Sequence, residues 1–291
     1  MSTGKKQRLR GAVAFITLMG VVSLFSDMTH EGARSILGEY LNLAGASGAA
    51  IGFVSGVGDL FSTYRLSFAV LGIPALITIA LVVLAKVKYP HPEMFEKAVD
   101  APTEFHTQKS FVLYMAAICL FAFGFADFTL ITLHAARTEA FPTSTLSLLY
   151  AAAMAVDAFA ALFFGWLFDK IGLRALMLST LCSAFFSCFI FLSGEPVLMG
   201  VGIVLWGVGM GAQESIMKAA VSRIVPAAMR STGFGIFETG FGIAWFLGSW
   251  LLGALYDANP AWLVAVSVSV QLLAIVLYGL CIKKQKKERS V

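Results

Sequence analysis

Asp27, Glu31 and Arg34 stand at i, i+4 and i+7 inside an otherwise apolar run. A continuous helix stacks such residues along one face. Ionisable groups in apolar surroundings are costly, so they pair with one another or line a water-filled cavity. Two readings follow. In one, a carboxylate acts as a proton site or cation contact. In the other, Glu31 and Arg34 form a local pair at a cavity mouth while Asp27 helps fix the helix. His30 can titrate near neutrality, but it lies off that face and is a weaker relay candidate.

Further along, Asp127 and Asp157 sit singly between apolar neighbours. Each suits either a cavity-lining carboxylate or a helix-to-helix hydrogen bond. Gln213, Glu214 and Lys218 form a polar patch. The Gln213 amide offers both a donor and an acceptor to a solute, while Glu214 and Lys218 have the spacing of a structural i, i+4 pair. Glu238 is a lesser candidate, and Asp59 and Arg65 flank a polar interruption at 62–65. Gly207-Val208-Gly209-Met210-Gly211 superficially suggests a nucleotide loop, but its place within an apolar run favours close helix packing. There is no Ser-His-Asp elbow, and His30-Glu31 lacks the second histidine of a zinc protease. The four cysteines have no metal spacing. Hence no enzyme, cofactor or metal is expected.

The elements that position these residues must be membrane helices. Of 291 residues, 58% are hydrophobic and only 13% charged. A water-soluble globule cannot hide that much apolar surface. At about 20 residues per span, the apolar total suggests roughly seven to nine spans. Long apolar regions cover 9–43 and 48–88, and six more follow at 111–133, 145–168, 174–193, 197–218, 231–256 and 261–282. Between the two sets lies a hydrophilic stretch with Pro90, Pro92 and Pro102. Basic residues crowd both chain ends, and Lys86, Lys88, Lys170, Arg174, Arg223 and Arg230 fall on one side of a consistent topology. The opposite loops carry only Arg137. The positive-inside rule then places both termini and the linker in the cytoplasm, with about eight spans. Region 48–88 is too long for one straight crossing and must bend, tilt or be interrupted.

Gly165-Trp166-Leu167-Phe168-Asp169-Lys170-Ile171-Gly172-Leu173-Arg174 resembles the loop signature of the major facilitator superfamily. In physical terms, Gly165 permits close helix contact and Asp169 can meet a helix N-terminus or a basic side chain. Lys170 and Arg174 hold the loop in the cytoplasm, and Gly172 completes the motif. The segment 23–37 is similar to the first span of a group of prokaryotic permeases in that family. Residues 211–217 and 235–237 resemble its tenth and eleventh spans. The resemblance implies two six-helix bundles with a small solute bound between them near the membrane midplane.

This chain departs from that pattern in its first half, which has no copy of the loop signature. Residues 48–61 look like the start of a second span and 64–88 like a sixth. The expected organisation is a truncated N-terminal half over 1–88, a cytoplasmic linker over 89–110 and a complete six-helix half over 111–291. The resemblance implies a secondary transporter of a small solute with proton-coupled efflux, in a prokaryotic plasma membrane. The alternative is a non-transporting binding or scaffold subunit, or a degenerate transporter remnant. Expected partners are the lipid bilayer, the solute, protons, and a second copy or another membrane subunit, held through small-residue faces at Gly207–Gly211 and Gly240–Gly253. Nucleic acid is not expected, because the basic ends read as topology anchors.

Overall fold

The computed structural model describes residues 14, 18, 21, 47–49, 65–88, 109–142, 145–226 and 229–288. Asp27, His30, Glu31, Arg34 and Asp59 lie outside the described residues, as do 89–108 and both extreme ends. By packing, the chain divides into two units, Met1–Leu37 with Phe61–Asp100 and Gly38–Leu60 with Ala101–Val291.

From the first unit comes α1 (Arg65–Lys88), an apolar helix with Lys86 and Lys88 in its last turn. Cations at that end complement the helix dipole. The second unit contains α2 (Lys109–Gly124), α3 (Phe128–Arg137), α4 (Leu146–Ile171), α5 (Arg174–Ser183), α6 (Phe186–Phe191), α7 (Pro196–Ile224), α8 (Arg230–Ala258) and α9 (Pro260–Glu288). No strand occurs among the described residues. The protein is all-α.

Six stretches among the described residues are long and apolar enough to cross a membrane: Lys109–Arg137, Leu146–Ile171, Arg174–Phe191, Pro196–Ile224, Arg230–Ala258 and Pro260–Lys286. Their sequence explains their ends. Pro196 and Pro260 sit where a missing N–H costs nothing. The Pro196–Ile224 helix outruns the apolar run by a turn or more, because Lys218, Ser222 and Arg223 leave hydrocarbon without leaving the helix. Two spans are interrupted. One breaks between α2 and α3, the other between α5 and α6. At the second, Ser179 and Ser183 hydroxyls donate back to the carbonyls of Leu176 and Thr180, at 3.0 and 3.3 Å. Such back-bonding loosens and bends a helix.

Within this unit α4 packs along α7, α9 and α8 pack along α2, and α5 and α6 lie against α7. Gly207 and Gly211 make the α4–α7 crossing close. A methyl at Gly207 would meet the Ala153 carbonyl, and one at Gly211 would collide with the Asp157 backbone. The outward faces are apolar: Phe159 and Leu162 of α4 are 76% and 75% exposed, and Trp250 and Trp262 are also open. That pattern is stable only where the surrounding medium is lipid. The protein is an integral, multi-pass membrane protein.

Candidate functional site

The α2–α3 break puts a carboxylate inside the bundle. Asp127 is extended (φ −65, ψ 146) and caps α3, accepting from the Thr129 amide at 2.9 Å and the Thr129 hydroxyl at 2.8 Å. It is only 4% exposed. A break in the backbone at this depth frees carbonyls, each costing several kcal/mol if left unpaired in lipid. Other helices supply the donors. Gly124 O accepts from Ser267 Oγ at 2.7 Å and from Gln271 Nε2 at 3.4 Å, both on α9. Ala126 O accepts from Trp206 Nε1 at 2.9 Å. The Trp206 ring is fully buried against Phe125 and Phe128, with centroids 5.7 and 5.0 Å away. The break is therefore held by donors from two other helices, α7 and α9.

The other acid and amide candidates separate onto different faces. Gln213 is buried in α7, and neither its amide nitrogen nor its amide oxygen has a hydrogen-bond partner among the described residues. Glu214, the next residue, is exposed. Lys218 reaches across to Glu238 of α8 at 3.3 Å. Both side chains are more than half exposed, so the bridge is worth under about 1 kcal/mol. Asp157 is partly buried on α4, beside Gly211. Thus Asp127 and Gln213 are both interior, while Glu214, Lys218 and Glu238 face outward.

At the loop signature, Asp169 meets a basic side chain. Arg223, at the end of α7, donates to its Oδ1 at 2.6 Å and to the Phe168 carbonyl at 3.3 Å. Its guanidinium also lies over the Phe168 ring, 4.3 Å from the centroid. Lys170 covers the Trp166 ring at 3.7 Å, and Arg174 opens α5 as an exposed residue. Gly172 closes α4 with φ +63, its amide bonding Phe168 O at 2.8 Å. That positive φ explains the glycine. The expectation for Gly165 is corrected: among the described residues, no atom beyond its own helical turn and chain neighbours lies within 4 Å of where its side chain would be, so close packing does not explain it. The small-residue faces expected to meet a second copy are also corrected in part. Gly207, Gly209 and Gly211 are filled by α4, Ser183 and Phe125, while Gly248 lies on Phe123 and Gly253 on Gly48.

At the opposite end of the bundle the sequence reading missed a cluster. His134 Nδ1 lies 3.0 Å from Tyr256 Oη, and its ring packs on Phe191. Arg137 approaches Asp257 at 3.4 Å and stands over the Tyr256 ring at 5.5 Å. The two Asp257 oxygens accept from the Gly48 and Ala49 amides, each at 2.7 Å. One carboxylate thus caps a helical start more than two hundred residues away in sequence. The available signal was Arg137, the lone exception to the basic-residue pattern. Asp257 balances it.

A family model for the major facilitator superfamily matches residues 116–291. The chain belongs to the major facilitator superfamily. An uncharacterized protein of Mycobacterium bovis is 30% identical over 239 residues, covering 79% of this chain and 58% of its own length. Uncharacterized proteins from two Mycobacterium tuberculosis strains match with the same identity and coverage. The chain therefore spans little more than half the length of these curated relatives. In this facilitator-family chain the interrupted span opens the matched region, and the Asp169–Arg223 contact ties its second span to its fourth.

Proposed function

We propose that the chain is a secondary transporter that moves a small solute by proton-coupled efflux. The observation carrying this reading is the interrupted span: a buried carboxylate beside unwound backbone. Discontinuous membrane helices place polar backbone and charge where protons and polar solutes can be exchanged within the bilayer. In this reading Asp127 is the proton site of the second half. Asp157 and Glu214 serve the solute path, with Gln213 behind them in the core, and Asp27, Glu31 and Arg34 contribute from the first half. The first half, 1–88, is shortened internally, 89–110 is a cytoplasmic linker, and 111–291 is a complete six-helix half. Both termini face the cytoplasm of a prokaryotic plasma membrane. A second copy, or another membrane subunit, supplies the cover that the shortened half lacks.

The test is reconstitution in liposomes with an imposed pH gradient. Proton flux is read with an entrapped pH dye, and movement of a pool of small metabolites by mass spectrometry. Asn caps a helix as well as Asp but does not titrate in this range. Asp127→Asn should therefore keep the fold and lose the pH dependence of transport. Unchanged pH dependence in that variant removes Asp127 as the proton site. Liposomes in which no solute moves and no proton flux appears support the second reading, a non-transporting membrane subunit.

A further inference from the structure

Gln213 and Thr180 come to one layer of the bundle core, and both carry polar atoms that no group among the described residues satisfies. Among the described residues, the Gln213 amide nitrogen and oxygen and Thr180 Oγ1 have no hydrogen-bond partner. Gln213 is 3% exposed and Thr180 1%. The register follows from fixed contacts. Gly209 of α7 abuts Ser183 of α5. One turn further along these antiparallel helices, Gln213 comes level with Ser179 and Thr180. On the same α7 face, Trp206 bonds Ala126 O and the Met217 carbonyl accepts from Tyr114 at 2.7 Å. That face looks into α2, so Gln213 points at the bundle centre rather than at lipid.

Between α2 and α9, the Ser267–Gly124 and Cys281–Ser110 hydrogen bonds set a constant antiparallel register. The same register places Ala274 opposite Ala117, in the Gln213 layer. Both alanines are fully buried, and they are the smallest side chains that could line that layer without being glycine. A layer of two alanines, a threonine and an unpaired amide carries a hydrogen-bonding demand that its apolar neighbours cannot meet. One turn to either side along α9, Gln271 Oε1 and Tyr278 Oη are also buried without a partner. Buried polar groups left unpaired cost roughly 1–3 kcal/mol each, and sites of this kind hold ordered water.

We propose that this core binds a short file of water molecules centred on Gln213 and Thr180, extending toward Gln271 and Tyr278. Water is the ligand class because every residue of the layer is almost wholly enclosed, and the demand is for both donors and acceptors. The site lies between α2, α5, α7 and α9, apart from the exposed Glu214, Lys218 and Glu238. It does not depend on whether the chain transports.

Radiolytic hydroxyl footprinting of the full chain in nanodiscs tests this, with bulk water as the probe. Bound water generates hydroxyl radicals in place, so buried neighbours become labelled. Ile118, on the α2 stretch facing this layer, should be oxidised several-fold faster than the equally buried Ile131, and Phe121 several-fold faster than the equally buried Phe186. Gln213→Leu should abolish that excess. A thermal-unfolding cycle gives a second measurement. Gln213→Leu and Thr180→Val should each lower Tm, and the double variant should lose less than their sum. Labelling of Ile118 and Phe121 no faster than of the reference residues overturns the proposal. So does a higher Tm in Gln213→Leu, because an amide with no guest is improved by an apolar replacement.

Discussion

Replacing Asp257 by Ala isolates a carboxylate that ties together parts of the second unit more than two hundred residues apart. It accepts from the Gly48 and Ala49 amides at 2.7 Å each and faces Arg137 at 3.4 Å. Charge-assisted hydrogen bonds are worth about 1.5–3 kcal/mol apiece when well buried. Here the Asp257 side chain is 27% exposed, so water partly replaces what the variant removes. The geometry is that of a helix N-cap, for which Asp to Ala costs about 0.5–2 kcal/mol. Partial exposure puts the loss in the cap range, toward its upper end because two amides are engaged: about 1–2 kcal/mol. That corresponds to roughly 5–30-fold more opening of the capped start. Hydrogen exchange of the Gly48 and Ala49 amides, resolved by fragmentation mass spectrometry, reads this directly. Asp257→Asn should fall between wild type and Ala. Arg137→Ala should change exchange by less than about fivefold, because the longer, partly exposed ion pair is worth under about 1 kcal/mol. Asp257 is not the cap if Asp257→Ala leaves both amides exchanging within twofold of wild type, or if Arg137→Ala has the larger effect.

Trp206→Phe keeps the aromatic packing but leaves Ala126 O without its donor; thermal unfolding in detergent should show a loss of about 1–3 kcal/mol. Gly211→Ala forces the α4–α7 crossing apart at Asp157 and should cost about 1–3 kcal/mol, measured as a lowered Tm and a smaller monodisperse fraction. Gly165→Ala, with open space around the position, should be neutral or slightly stabilising by the same measurement. Asp127→Ala should destabilise by about 1–2 kcal/mol through loss of the α3 cap, with Asp127→Asn close to wild type.

Composition and apolar run length by themselves determined that this is a helical membrane protein, because a hydrocarbon solvent leaves few ways to satisfy a backbone. They also located the six spans beyond residue 108, whose ends are marked by Pro196, Pro260 and the basic loop residues. The loop signature pointed to the family through residues whose roles are local: Gly172 must take a positive φ wherever the rest of the chain goes. Only the tertiary structure decided what each polar side chain does. Apolar runs read straight through Gly124–Asp127, since a break costs no hydrophobicity, and the donors that make it tolerable come from α7 and α9. Glu214 and Gln213 are neighbours in sequence, yet one faces outward and the other inward, because adjacent helical residues differ by about 100° around the axis. Arg137 looked anomalous until Asp257, 120 residues away, was brought beside it. The glycines of α7 and α8 suited either an internal or an external partner, and packing assigned several of them to the inside. Periodicity specifies a face, but what that face meets is a property of the assembled helices.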